Sequence, residues 1–261
     1  MSSSDLTLAL ECADIADEIS LARFLAQDLK VETKPDRTPV TDADKAVEEA
    51  IRKVISEERP DDAIVGEEFG DNRGDHQRYW VIDPIDGTAN FLRGVPVWAT
   101  LIALIERGVN GSEKVITGVV SAPALFRRWY ASDGKGAYLI DGVTAPRKIN
   151  VSKVSSLTDA SIAYSSLNGW GSREEKWRAL LGKAWRSRGY GDFWSHMLVA
   201  EGAVDIAAEP SLSLWDMAAL DVIVREAGGS FSNLEGVAGP FGASALTTNT
   251  VLHGEVMKEL S

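Results

Sequence analysis

An α+β fold is predicted from two observations in this chain of 261 residues. Helical periodicity occupies 5–27 and again 41–58. Several short strand-like runs with tight turns then follow one another, which suggests an α+β layer rather than a repeated βαβ unit.

The first helix places Leu6, Leu10, Ala13, Ala16 and Leu21 near one face. Pro35 and Pro39, with charges between them, make 30–40 an exposed loop. At Thr41 a second helix opens, with Thr41 and Asp44 resembling a capping box that uses Asp in place of Glu. Val47, Ile51, Val54 and Ile55 form its buried stripe, and Pro60 stops it. Strand-like runs follow at 63–65, 79–82, 100–105, 115–120 and 128–131, with Gly134 and Gly136 supplying a turn. The texture changes near 146. A strand at 161–165, helices at 173–181 and 193–201, a strand at 204–208 and a helix at 215–227 closed by Gly228-Gly229 are expected. This divides the chain into 1–145 and 146–261, two parts sharing a cleft, with no internal repeat.

Composition narrows the function. Hydrophobic residues are 44% of the chain and charged residues 25%, enough for a core and ordinary for a globular protein. The net charge of −12 repels nucleic acid and anionic membrane and suits hard cations, although a solvated surface accounts for most of the 39 acids. Cys12 is the single cysteine, so no intramolecular disulfide can form. With three histidines, His76, His196 and His253, and no ligand spacing among them, a usual zinc site is not expected. The start of the chain lacks the basic stretch and apolar run of a signal peptide, and no window reaches the ~18 apolar residues of a membrane span. A cytoplasmic location is therefore expected. Trp98, Trp129, Trp177 and Trp185 read as core or subunit contacts.

Any metal must then be held by oxygen, which suits Mg2+, Mn2+ or Ca2+. The most informative segment is Tyr79-Trp80-Val81-Ile82-Asp83-Pro84-Ile85-Asp86-Gly87-Thr88. An apolar strand delivers two aspartates where Pro84 stops sheet pairing and Gly87 allows an unusual backbone angle. Ile85, between them, offers only its carbonyl oxygen. If Thr88 begins a helix, the amides of Gly87 and Thr88 point at an anion such as phosphate. An isolated Asp-x-x-Asp is most often a turn and a cap, but the full hexad after an apolar strand is far more specific. Glu67-Glu68 ends the preceding strand, beside which Asp83 would lie. Asp216 follows Trp215 and opens a helix, where the ordinary reading is a first-turn acid.

The segments Gly66-Glu67-Glu68, Asp83-Pro84-Ile85-Asp86-Gly87-Thr88 and Trp215-Asp216, with Glu226-Ala227-Gly228-Gly229 downstream, resemble the inositol monophosphatase family from about residue 5 onward. The resemblance implies a layered αβαβα sandwich, a homodimer and a phosphatase that uses two or three Mg2+ ions, with Mn2+ as an alternative. It implies metal ligation by Glu67, Asp83, the Ile85 carbonyl, Asp86 and Asp216, most of them in 1–145. Asp44 matches an acidic position near a third, weaker metal, although Asp42 offers a competing acid. Glu67 and Thr88 would hold the attacking water, and the 30–40 segment would be a mobile neighbour of the metals.

Positions matching Asp192 and Glu209 face the leaving alcohol in that family, with Tyr190 and Gly191 alongside. Two acids there favour a cationic leaving group. The Tyr190-Gly191-Asp192 and Ala200-Glu201-Gly202-Ala203-Val204-Asp205 runs also resemble the family's branch that acts on histidinol phosphate, in histidine biosynthesis. Inositol phosphate, a nucleotide 3′-phosphate or fructose bisphosphate are the alternative substrates. A catalytically silent cation-binding regulator is the alternative outside enzymes, against which stand all five of Glu67, Asp83, Asp86, Thr88 and Asp216.

Overall fold

The computed structural model describes residues 4–35 and 38–261. Helix α1 (Asp5–Arg23) is capped by Ser4, whose hydroxyl accepts from the Thr7 amide at 3.1 Å. It ends before 27 because the chain turns out at Phe24, and Leu25 takes a left-handed φ of 65°. Its buried face is Leu8, Ala9, Cys12, Ala13 and Ala16, not the line toward Leu21, which is 46% exposed. The small residues let the neighbouring helix approach closely. Burial pushes the Cys12 thiol up to about 12, aided by Glu11, so it packs as an unreactive apolar group.

The 30–40 segment is not a plain loop. β1 (Val31–Thr33) and β2 (Pro39–Thr41) pair antiparallel, with Pro35 at the turn and residues 36 and 37 outside the described residues. Helix α2 (Asp42–Glu58) carries the expected capping box between Thr41 and Asp44.

The first sheet is built from β3 (Ala63–Gly66), β4 (Gly70–Asp71), β5 (Arg78–Asp86), β6 (Ala99–Arg107), β7 (Glu113–Ala122), β8 (Arg127–Ser132), β9 (Gly136–Asp141) and β10 (Arg147–Ile149), with a short helix α3 (Thr88–Leu92) between β5 and β6. Its order is β10-β9-β8-β7-β6-β5-β3-β4, and every neighbouring pair is antiparallel except β3 with β5. The second sheet is assembled from β11 (Ser161–Ala163), β12 (Arg186–Arg188), β13 (Ile206–Glu209), β14 (Ser230–Ser232) and β15 (Ala245–Thr248), in the order β12-β11-β13-β15-β14. Helices α4 (Glu174–Lys183), α5 (Asp192–Ala200), α6 (Leu214–Glu226) and α7 (His253–Leu260) complete the chain.

Strand alternation sorts the layers. Trp80 and Ile82 of β5 pack with Leu8, Val47 and Ile51 of α1 and α2, while Val81 faces the other way, toward the cluster of Met197, Leu220 and Ile223 from α5 and α6. Val199 of α5 also meets Ala163 and Ala207 of the second sheet. The far face of that sheet packs Ile162, Ile206 and Leu246 against Trp177, Leu180 and Val256 of α4 and α7. The result is the five-layer αβαβα sandwich. Gly118 has no room for a Cβ, which would sit 2.5 Å from Val222 and 2.9 Å from the Ala219 carbonyl, so this glycine allows α6 to close on β7. Trp98, Trp129 and Trp177 are core residues; Trp185 is 67% exposed and is not. Among the described residues, no helix is long and apolar enough to cross a membrane.

Candidate active site

A β-bulge brings the two aspartates of the hexad to one side. Residues three apart in a regular strand face opposite ways. Here Asp83 pairs with Leu101 and Asp86 with Ala99, so β5 spends three steps where β6 spends two. The extra residue puts both carboxylates on the same face. Pro84 has no N–H to lose from the ladder, and its carbonyl accepts from the buried Thr100 hydroxyl at 2.8 Å.

The single parallel pairing in the sheet explains Glu67. Because β3 runs parallel to β5, with Gly66 opposite Ile82, the two strands end at the same edge, and the Glu67 amide donates to the Ile82 carbonyl at 3.2 Å. Glu48, fully buried in α2, shapes the turn. It accepts from the Glu68 amide at 2.7 Å and the Phe69 amide at 3.1 Å, and pairs with Arg52 at 2.7 Å. A Cβ on Gly66 would fall 1.9 Å from its carboxylate. Lys34, from the β1–β2 hairpin, contacts both Glu67 and Glu68 at 2.6 Å. Burial works against its charge, yet the contacts and negative charges of these two carboxylates together outweigh it and raise the pKa.

Asp44 and Asp42 part company. Asp42 pairs with Arg23 at 2.9 Å, away from the cluster. Asp44 is fully buried and accepts from the Thr41 amide at 2.8 Å and the Thr88 hydroxyl at 3.2 Å. Thr88 begins α3, as expected, and its hydroxyl also reaches the Ile85 carbonyl at 3.0 Å. Gly87 before it has φ 83°, and a Cβ there would lie 2.9 Å from the Val97 carbonyl. Asp216 is the third helical residue of α6 and forms a capping box with Ser213, whose amide donates to it at 2.6 Å. Its ordinary role as a cap and its place in the cluster are both realised.

Asp83, Asp86 and Asp216 each offer a carboxylate oxygen within 4.8 Å of the others. Burial, then Glu67, Asp86 and Asp216, drives the Asp83 carboxyl well above the ordinary carboxylate range. Burial and then Asp192 do the same to Asp86, against the Phe193 amide that donates to it at 2.9 Å. Asp216 is pushed up to about 7, by burial first and by Glu67 and Glu209 against the Ser213 amide. Glu67 thus acts on Asp83 and Asp216 through its field while its oxygen is paired with Lys34. Asp83 Oδ1 is buried and meets no hydrogen-bond donor among the described residues. Three converging carboxylates, one of them carrying an unpartnered buried oxygen, fit a divalent cation of the Mg2+ class.

Beside this cluster lies a small cavity of about 30 Å3, lined among others by Asp86, Asp192, His196, Glu209 and Asp216. Asp192 has φ 48°, and its carboxylate accepts from Asn90 Nδ2 at 2.9 Å. Its pKa is raised to about 6 by burial and then by Glu209, against His196 and Asn90. Tyr190 is not in the wall of this cavity; its hydroxyl meets Arg186 at 2.5 Å. Gly191, φ 90°, precedes α5.

The family model for the inositol monophosphatase family matches residues 2–260. This chain belongs to that family. Membership makes it a phosphatase, and the five layers and the carboxylate cluster are to be read in that light. Among relatives of this inositol monophosphatase-family chain, a histidinol-phosphatase of Mycobacterium tuberculosis is 55% identical over 264 residues, covering 100% of this chain and 99% of the relative. One of Streptomyces coelicolor is 55% identical over 98% of this chain and 97% of its own. Among solved structures, the extragenic suppressor protein suhB of Bartonella henselae superimposes with a TM-score of 0.88 at 29% identity, covering 99% of both chains.

The residues carried over from the family motif fall into two adjoining groups. Asp83, Asp86 and Asp216 converge, with Glu67, Asp44, Thr88 and the Ile85 carbonyl beside them. Asp192 and Glu209 adjoin through the cavity. The sequence assigns no role to His196 and does not single out Lys34, Asn90 or Glu48; the first three contact these groups, and Glu48 holds the turn that follows Glu67. A histidine beside the apolar run Met197-Leu198-Val199-Ala200 is the signal that His196 carries.

Proposed function

We propose that this phosphatase hydrolyses L-histidinol phosphate to L-histidinol and phosphate with Mg2+, the dephosphorylation step of histidine biosynthesis. The observation that carries the substrate is the pair Asp192 and Glu209 in one cavity with Asp86 and Asp216. Two acids beside the reacting phosphate suit a leaving group that bears an ammonium and an imidazole, and disfavour none of its contacts. Relatives named histidinol-phosphatase at 55% identity over the full chain support the same reading.

In this reading Glu67, Asp83, the Ile85 carbonyl, Asp86 and Asp216 hold the ions, with Asp44 near a further one. Bound Mg2+ supplies charge that neutralises phosphate oxygens, acidifies water and steadies the departing alkoxide. Thr88 and Glu67 orient the attacking water for in-line displacement. Because Thr88 spends its proton on Asp44 or the Ile85 carbonyl, its oxygen acts toward water as an acceptor. Gly87 and Thr88 bring their amides toward the phosphate. Asp192 and Glu209, with Tyr190 and Gly191 shaping the approach, take the cationic end. No phosphorylated protein intermediate is required. The reading includes a homodimer in the cytoplasm, with 1–145 supplying most metal ligands and 146–261 supplying Asp216 and the selecting residues.

Phosphate release from a panel of histidinol phosphate, inositol phosphate and fructose bisphosphate, with Mg2+ and with chelator, tests the proposal. Histidinol phosphate is expected to lead and chelator to silence every substrate. A neutral sugar phosphate in the lead would overturn the substrate, and full activity in chelator would overturn the metal. Glu209→Gln is expected to raise KM for histidinol phosphate about tenfold, the scale of one charged hydrogen bond, and to leave neutral substrates nearly unchanged. Equal effects on both classes would remove charge recognition.

The raised carboxyls also set a pH dependence. In the metal-free protein, folding binds protons that the unfolded chain has released, so this stabilisation is complete below about pH 4. It is lost as pH rises through the Asp216 value of about 7. Cations compete with those protons. Saturating Mg2+ is therefore expected to raise Tm by about 5 °C or more at pH 8 and by less at pH 5.5. Calorimetry showing equal increments at both values would contradict the assignment.

A further inference from the structure

His196 is fully buried in α5 between Ser195 and Met197, which are themselves fully buried. Packing alone would be met by a leucine or methionine there, as Met197 shows. Instead both ring nitrogens are engaged. Nδ1 lies 2.7 Å from the Thr247 hydroxyl and Nε2 lies 3.3 Å from Glu209 Oε1. Thr247 is fully buried in β15, where it pairs with Ala207, two residues before Glu209 in β13. The antiparallel ladder therefore fixes the separation of Thr247 and Glu209, and the imidazole spans it. The Phe231 ring of β14, 6.1 Å away, packs beside the imidazole.

A carboxylate only accepts, so Nε2 carries the proton donated to Glu209, while Thr247 holds Nδ1 from the other side. A short planar ring held at both nitrogens fixes the direction of a carboxylate oxygen more firmly than the long flexible stem of a lysine would. We infer that His196 is a positioning residue: held by Thr247, it ties back one oxygen of Glu209 so that the other faces the cation of the leaving group. The inference rests on the reading of Glu209 as the cation-recognising group and adds to it two residues, His196 and Thr247, that act through Glu209.

Steady-state kinetics of the full chain at saturating Mg2+, on histidinol phosphate and on inositol phosphate, test it. The variants are His196→Leu, His196→Gln, Thr247→Val, Glu209→Gln and the Thr247→Val/Glu209→Gln double. Loss of one hydrogen bond to a charged group is expected to raise KM for histidinol phosphate about tenfold in His196→Leu and about threefold in Thr247→Val, with kcat within about twofold and inositol phosphate unaffected. His196→Gln, which keeps a donor, is expected to recover most of the affinity. Because Thr247 acts through Glu209, adding Thr247→Val to Glu209→Gln is expected to change nothing further. KM values that rise alike for both substrates, or a double variant with additive losses, would overturn the inference and leave a structural role. Should His196→Leu fail to fold, the near-isosteric Thr247→Val and the double variant decide. If Glu209→Gln raises KM and neither Thr247→Val nor His196→Leu does, this inference alone fails. If Glu209→Gln has no effect, the recognition reading fails and takes the inference with it.

Discussion

Asp83→Asn is expected to lower turnover with Mg2+ by roughly 10^3-fold or more, about 4 kcal/mol of lost transition-state stabilisation. Asp83 is 1% exposed, carries an oxygen with no donor, and sits among Glu67, Asp86, Asp216 and Asp44. An amide of the same shape keeps the bulge and its packing but removes one of the three converging charges. The same substitution relieves repulsion when no cation is present. At pH 8 in chelator the variant is expected to melt at or above the parent's temperature, and to gain little from Mg2+. Activity lost together with a large fall in metal-free Tm would point to misfolding, and near-normal activity would remove Asp83 from the metal site.

Glu48→Ala is expected to cost about 3 kcal/mol of stability, because it breaks a buried ion pair and strands two amide donors. Arg52 would keep only its bond to the Gly70 carbonyl, and the Glu68 and Phe69 amides would lose their acceptor. The turn that carries Glu67 would loosen with them. The Mg2+ concentration for half-maximal activity is therefore expected to rise about 10- to 100-fold, as for other groups that orient a metal ligand. Glu48→Gln, which keeps one acceptor, is expected to fall between. Unfolding midpoints and Mg2+ titrations check both effects; a variant as stable as the parent with unchanged metal dependence would show that the turn holds itself.

Both effects depend on features of unequal legibility. The hexad, the capping box at Thr41 and the glycine stop after α6 announced themselves, since each is a local pattern with a local cause. Pro84 in an apolar strand was the visible trace of the bulge, but a proline says only that pairing is interrupted. That the interruption adds one residue, and so turns Asp86 to the side of Asp83, depends on the register with β6. The β1–β2 hairpin was hidden because its strands are three residues long and contain a proline. The α1 face is legible at Ala13 and Ala16, with Leu6 and Leu10 packed at its edge, but a count that weights leucines over small residues missed Ala9 and Cys12 and wrongly included the exposed Leu21. Glu48 and His196 were invisible for a deeper reason. Their partners lie 20 and 51 residues away, and a lone buried acid or histidine shows no spacing by which to find it.

Crystals grown or soaked with Mn2+ near pH 7.5 and measured at the manganese edge examine the metal site most directly. The expected anomalous map has its strongest peak bounded by Asp83, Asp86 and Asp216, within bonding distance of a carboxylate oxygen from each, and loses it in Asp83→Asn. A fully active crystal whose strongest peak lies elsewhere would contradict the claim that these three carboxylates hold the cation.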